Sequence, residues 1–189
     1  MKKSLIVLIL VAMTFGGLFA ATLTPEESES ILWMREEEKL ARDVYLALYE
    51  RWGLRTFYSI AQSEQRHMDS VKIELIDVYG LQDPVADETP GVFSNPELAE
   101  LYDTLVQRGL QSITDAVWVG MTIEDLDIKD LDEALATTSN PDIQTVYGNL
   151  VRGSENHMRS FYRQATKYGL NYTPQYISLQ QYQQILSGN

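Results

Sequence analysis

"SEQRH", Ser63 to His67, decides how the rest of this chain is read. Residues three apart on an α-helix are separated by about 300°, so Glu64 and His67 project from one face. Around them Phe57, Ile60, Val71, Leu75 and Val78 recur at helical spacing, which predicts a helix from near Thr56 to Gly80 with that face turned inward. A carboxylate and an imidazole buried together must find partners, because an unpaired polar group in an apolar interior is strongly destabilising.

The same reading extends outward in both directions. "TPEE" supplies Thr24 as N-cap, Pro25 in the first helical position and Glu27 to close a capping box. That helix runs to about Gly53, and its inward stripe is Ile31, Met34, Glu38, Ala41, Tyr45, Leu48 and Trp52. "LQDPVADETPGVF" is rich in turn residues and breaks the pattern. A short helix follows, capped by Asn95, started by Pro96 and ended by Gly109. Ser112 and Asp115 cap a third long helix with the stripe Ile113, Val117, Gly120, Glu124, Asp127 and Leu131. Asn140 and Pro141 start the fourth, whose stripe is Ile143, Tyr147, Leu150, Ser154, His157 and Phe161. The expected fold class is all-α: a four-helix bundle over residues 24–170, with one long crossover containing the short helix. Residues 171–189 are expected to form a polar, tyrosine-bearing tail packed across the bundle.

Each long stripe is interrupted near its middle by polar residues. The interruptions are Glu38, then Glu64 with His67, then Glu124 with Asp127, then Ser154 with His157. Singly, each has an ordinary explanation, such as a solvated pair or a hydrogen-bonded core histidine. The remainder of "REEEK", including Glu36 and Glu37, reads as a solvated charge run. Together, four carboxylates and two imidazoles converge on one interior with few cations on the same stripes. Two divalent ions would supply the missing positive charge, and oxygen and imidazole ligands without sulfur suit iron or manganese, with zinc the other candidate. Tyr45 and Tyr147 sit near this level and read as packing residues.

The arrangement resembles the ferritin-like di-metal carboxylate template, in which two helices give a Glu and two give Glu-x-x-His. "EKLARDVY", Glu38 to Tyr45, is similar to the first-helix pattern of rubrerythrin-type proteins. "MREEEKLARDVY", "SEQRHM", "VGMTIEDLDI" and "GSENHMRSF" together resemble a bacterial and archaeal ferritin-like domain family of unknown function. The resemblance implies metal ligation by Glu38, Glu64, His67, Glu124 and His157, with Glu64 bridging and Asp127 in the place of an additional acid. Ser154 departs from it, standing where a second bridging glutamate is usual. Glu155 does not replace it, since it lies about 200° around the helix from His157. A two-ion centre with Asp127 filling in and a single-ion site both remain open.

Composition limits the alternatives. The 189 residues are 44% hydrophobic, contain no cysteine and carry a formal net charge of −12. That charge excludes a nucleic-acid partner on electrostatic grounds, and the lack of cysteine excludes disulfides and thiolate sites. "MKKSLIVLILVAMTFGGLFA", residues 1–20, has the basic, apolar, small-residue order of a secretory signal. Cleavage gives an extracytoplasmic protein, periplasmic or secreted; retention gives a membrane anchor.

The resemblance implies an oxidase, peroxidase or ferroxidase type of di-iron oxidoreductase reacting with O2 or peroxide. The chain has no rubredoxin-like cysteines, haem motif or flavin loop, so an external electron donor would reduce the centre. The alternative is a non-catalytic protein that binds or handles metal ions. A homo-oligomer fits either reading.

Overall fold

The computed structural model describes residues 22–188; the leader expected over residues 1–20 lies outside them. Helix α1 is Pro25–Trp52. Helix α2 is Arg55–Val71, continued by a π-helical stretch, Lys72–Ile76, and a last turn, Asp77–Tyr79. Helices α3 (Pro96–Gly109), α4 (Ile113–Thr137), α5 (Pro141–Lys167) and α6 (Leu179–Ser187) complete the described residues. Among these residues no helix is long and apolar enough to cross a membrane.

Local chemistry sets the helix ends. Thr24 Oγ1 accepts from Glu27 N at 3.1 Å while Glu27 Oε2 accepts from Thr24 N at 3.0 Å, a reciprocal cap that satisfies two otherwise orphaned amides. Gly53 takes the left-handed conformation, φ 63°, and only Gly53 and Leu54 join α1 to α2, which forces the two helices antiparallel. Ser112 and Asn140 cap α4 and α5 through their side-chain oxygens.

Three contacts fix how the pairs of helices lie. Trp52 Nε1 donates to Gly109 O at 2.9 Å, so the crossover returns the chain to the end of the bundle where α2 began. Thr138 Oγ1 donates to Glu27 Oε1 at 2.6 Å, joining the end of α4 to the start of α1. Tyr79 Oη donates to Asp142 Oδ2 at 2.7 Å, joining the end of α2 to the start of α5. Helices α2 and α4 are therefore parallel, and α1 and α5 run against them. The result is a four-helix bundle with one long crossover, as the stripes imply.

The crossover overturns one expectation. Glu36 and Glu37 do not face solvent; they are 4% and 3% exposed, and α1 is buried on every side from Met34 to Tyr45. The strap between α2 and α3 lies over this face, and its backbone needs partners there. Glu36 accepts from Ser94 N at 2.5 Å and Asn95 N at 3.1 Å. Lys39 Nζ donates to Thr89 O at 2.9 Å, Arg42 to Glu88 O at 3.1 Å, and Arg35 pairs with Asp83 at 3.2 Å. Asp43, fully buried, holds Lys39 at 2.6 Å and receives Gly91 N at 3.1 Å. The charge run is the fastening of the crossover.

A second correction concerns Val78, expected on the inner stripe of α2 but 54% exposed. The π-helical stretch inserts a residue, turning later positions by about 100°. Ile76 takes the buried place and Tyr79 packs against the same cluster.

The last segment contains α6, which the sequence reading leaves inside a tail. Buried Asp125 fastens the approach to it, accepting from Tyr172 Oη at 2.8 Å and from Gln175 N, Tyr176 N and Ile177 N at 2.5, 3.2 and 2.9 Å. Asp125→Ala is expected to strand those amides and cost about 3 kcal/mol. Thermal melts should show that loss, and proteolysis should cut first beyond Leu170.

Candidate functional site

Along every long helix the polar mid-stripe residues separate two apolar clusters. Val44, Tyr45, Leu48, Phe57, Met121 and Phe161 belong to one cluster. Ile31, Met34, Val71, Leu131, Tyr147 and Leu150 belong to the other. Both clusters clamp the layer between them, so its side chains cannot turn to water without opening the bundle.

The structure brings Glu38, Glu64, His67, Glu124 and His157 together in that layer. His67 Nδ1 lies 2.7 Å from Glu64 Oε2 and 3.1 Å from Glu38 Oε2. His157 Nδ1 lies 2.9 Å from Glu64 Oε1 and 3.5 Å from Glu124 Oε2. Glu64 therefore turns one oxygen to each imidazole, and the imidazoles come from different helices. Their rings stack at 5.5 Å between centroids, inclined by 28°. Donor atoms of Glu64, His67 and His157 lie within 4.8 Å of one another. The carboxylates are 1–2% exposed.

Asp127 joins the layer from one turn along α4. Its Oδ2 accepts a short hydrogen bond from Ser154 Oγ, whose single proton is shared with Leu150 O at 3.1 Å. Ser154 thus orients the acid across the layer. Tyr45 is more than a packing residue: its hydroxyl donates to Glu124 Oε1 at 2.5 Å and fixes that carboxylate. Tyr147 remains apart, with its hydroxyl 3.1 Å from Ser30 Oγ.

Two residues beside this layer escape the stripe reading. Gly153 is one: a Cβ there would lie 2.5 Å from His67 Nε2, so only glycine lets α5 pass the imidazole this closely. The other is Glu37, buried beside Glu38, whose signal is the second helical stripe Trp33, Glu37, Leu40 and Val44.

Electrostatics make the cluster self-contained when only protons compensate it. Burial alone would raise Glu64, but the imidazoles of His157 and His67 hold it down at about 2. Burial alone would depress the imidazoles, but Glu38 and Glu64 push His67 up to about 12. Glu64 and Glu124 likewise push His157 up to about 10. Burial raises Glu38 to about 7, raises Glu124, and with the charges of Glu38, Glu37 and Glu124 holds Asp127 well above the ordinary carboxylate range.

Protons do not satisfy every atom. Glu38 Oε1, Asp127 Oδ1 and His157 Nδ1 are buried without a hydrogen-bond partner, although His157 Nδ1 is close to Glu64. His157 Nδ1 stands 2.9 Å from Glu64 Oε1 without hydrogen-bond alignment, a spacing that two donors facing a common cation also adopt. The residues fit a divalent metal: oxygen and imidazole donors, no sulfur, and lone pairs left over.

The fold and this layer define a helical bundle with a buried carboxylate–imidazole cluster. The chain belongs to the family described as Uncharacterized protein domain (DUF2202), which it matches over residues 27–189. It is similar to Uncharacterized protein MJ0754 of Methanocaldococcus jannaschii, 54% identical over 167 residues that cover 88% of this chain and 90% of that one. The crystal structure of hypothetical protein MJ0754 from Methanococcus jannaschii matches with a TM-score of 0.86 at 55% identity, covering 87% of this chain and 94% of that chain.

Proposed function

We propose that this chain is an extracytoplasmic ferritin-like protein whose bundle core binds two divalent transition-metal ions, iron first and manganese or zinc next. The observation that carries the reading is Glu64, with Oε2 2.7 Å from one imidazole and Oε1 2.9 Å from the other. A carboxylate with one oxygen towards each imidazole would serve both ions of such a centre, each with its own histidine. Glu38 and His67 would hold the first ion with Glu64. Glu124 and His157, with Asp127 reaching across, would hold the second.

When bound, reduced iron or manganese would supply electrons for the reduction of O2 or peroxide. The protein's part is positional. The Tyr45 hydroxyl keeps Glu124 in one orientation, and the Ser154 hydroxyl does the same for Asp127. Phe57, Phe161 and Tyr45 pack at 5.2–6.1 Å between centroids and exclude water from one side of the layer. Reduction between turnovers would come from an external donor.

Ser154 favours a second reading. With one carboxylate fewer at the second position, the chain would store or pass on metal without oxygen chemistry. The two readings separate on whether oxidation follows loading. Titration of chelator-stripped protein with Mn(II) or Fe(II), followed by calorimetry, is expected to show a tight first and a weaker second equivalent. Asp127→Asn should weaken only the second, by about tenfold for the loss of about 1.4 kcal/mol, and Ser154→Glu should strengthen it. Oxidation rate under O2 or H2O2 should follow occupancy of the second position. Two equal sites indifferent to Asp127→Asn would refute the ligand assignment; loading without any oxidation would leave metal handling as the function.

A further inference from the structure

Where α1, α3 and α4 meet the last segment of the chain there is a cavity of about 180 Å³, lined by none of the candidate metal ligands. Leu40, Leu105, Trp118 and Ile123 wall it. Gln175 and Tyr176 close it from outside, held in place by their backbone amides, which donate to buried Asp125. Packed interiors hold few voids larger than a water molecule, so a gap of this size is out of keeping with the rest of the bundle. Thr104 and Arg108, both exposed, mark its rim, and Glu37, 3% exposed, marks its inner end.

The polar chemistry of this cavity is confined to one place. Glu37 Oε2 accepts from Trp33 Nε1 at 2.9 Å, while Glu37 Oε1 is buried with no hydrogen-bond partner among the described residues. The charged groups that act on Glu37, Asp130 and Glu38, are acids and bring it no N–H. The other polar groups of the lining are already engaged. Thr122 Oγ1 donates to Trp118 O at 3.0 Å and accepts from Gln175 Nε2 at 3.2 Å. Arg108 lies 3.1 Å from the centre of the Trp118 ring, with Asp115 3.7 Å away. A water at the inner end would need about two to four polar partners, and Glu37 offers one. An apolar cavity of about 150 Å³ is large enough for a benzene-sized guest, and the guanidinium at the rim disfavours a cationic one.

We infer that this cavity binds a neutral single-ring aromatic molecule with one hydrogen-bond donor, a phenol or an aromatic amine. Its O–H or N–H donates to Glu37 Oε1, and its ring packs among Leu40, Leu105, Trp118 and Ile123. The few converging polar groups fix the orientation and the apolar walls supply the affinity, the usual division of labour in a small-molecule site. The site goes beyond metal binding and does not depend on it.

The test is titration of isotope-labelled, chelator-stripped full-length protein with phenol and with toluene, read by the indole N–H resonances of its three tryptophans. Phenol is expected to shift Trp118, in the wall, and Trp33, bonded to Glu37, and to leave Trp52, which lines no part of the cavity, in place. Glu37→Met should weaken phenol at least about tenfold, as expected when a buried donor loses its partner, and should keep toluene binding. Leu105→Trp should fill the cavity and abolish binding of both; the indole shifts locate the ligand even if that variant does not fold. No binding of phenol at millimolar concentration, or binding that moves neither Trp33 nor Trp118, would overturn the site and leave the metal centre standing. Equal weakening of phenol and toluene by Glu37→Met, or none of either, would overturn the hydrogen bond that selects the ligand.

Discussion

Glu64→Ala is expected to remove the metal-dependent part of this protein's stability and to destabilise the metal-free state as well. Ligands that bind only the folded chain stabilise it by mass action: a free metal concentration about a thousandfold above Kd adds about 4 kcal/mol per site. For a chain of this length each kcal/mol moves Tm by roughly 2–4 °C, so saturation should raise the melt by roughly 8–16 °C for each position. Glu64 faces both imidazoles, so its loss should abolish the chelator-sensitive shift at both. In the metal-free chain it is the anion shared by two buried imidazoliums, and removing one partner of such a buried pair costs about 3–5 kcal/mol. Melts of the parent and Glu64→Ala proteins, each with and without chelator, measure both effects. A variant that keeps the full metal-dependent shift would show that Glu64 is no ligand.

The second large effect is on pH dependence, and its sign follows from the imidazoles. His67 and His157 are raised in the folded chain to about 12 and about 10, above the unfolded value near 6.5. The folded chain then binds more protons than the unfolded one above about pH 6.5. Stability from these groups is complete below that pH and is lost as pH rises, His157 giving out near 10 and His67 near 12. Glu38, raised to about 7, adds to the loss between about pH 4.5 and 7. Glu64 acts oppositely: held at about 2, it contributes above about pH 4.5 and is lost as pH falls towards 2. Chelated protein is therefore expected to be most stable in mildly acidic solution. Between pH 7 and 9 it should lose about 2–3 kcal/mol per pH unit, since each titrating group contributes about 1.4. Metal replaces those protons, so its apparent affinity rises with pH and the loaded protein should lose far less over the same range. Urea titrations at several pH values, with and without Mn(II), give the comparison. Parallel pH profiles would mean that metal does not displace the imidazole protons.

Helix starts were the most legible part of the fold, because Thr24, Asn95, Ser112 and Asn140 each announce a cap by side-chain chemistry that acts within one turn. The mid-stripe acids and histidines were legible for a related reason: a helical period fixes which face they share, whatever the packing partner. What stayed hidden depends on contacts distant in sequence. Glu36 and Glu37 read as solvated charge because what covers that face of α1 comes later in the chain, for Glu36 the strap amides of Ser94 and Asn95. Asp125, which no stripe singles out, was hidden for the same reason; its partners are backbone amides near Ile177. The π-helical insertion at Lys72–Ile76 carries no side-chain signal comparable to a cap, so the phase change that exposes Val78 was not legible. Gly153 needed the position of His67 on another helix before its lack of a Cβ acquired a meaning.

The central claim, a two-ion centre built around Glu64, meets its most direct test in a metal count. Chelator-stripped protein would be loaded anaerobically with Fe(II), freed of unbound metal by desalting, and analysed for iron per chain beside Glu64→Ala treated identically. The expected result is about two ions per chain in the parent, one held more firmly than the other, and almost none in the variant. Iron far below one per chain in the parent, or equal iron in both proteins, would contradict the centre described here.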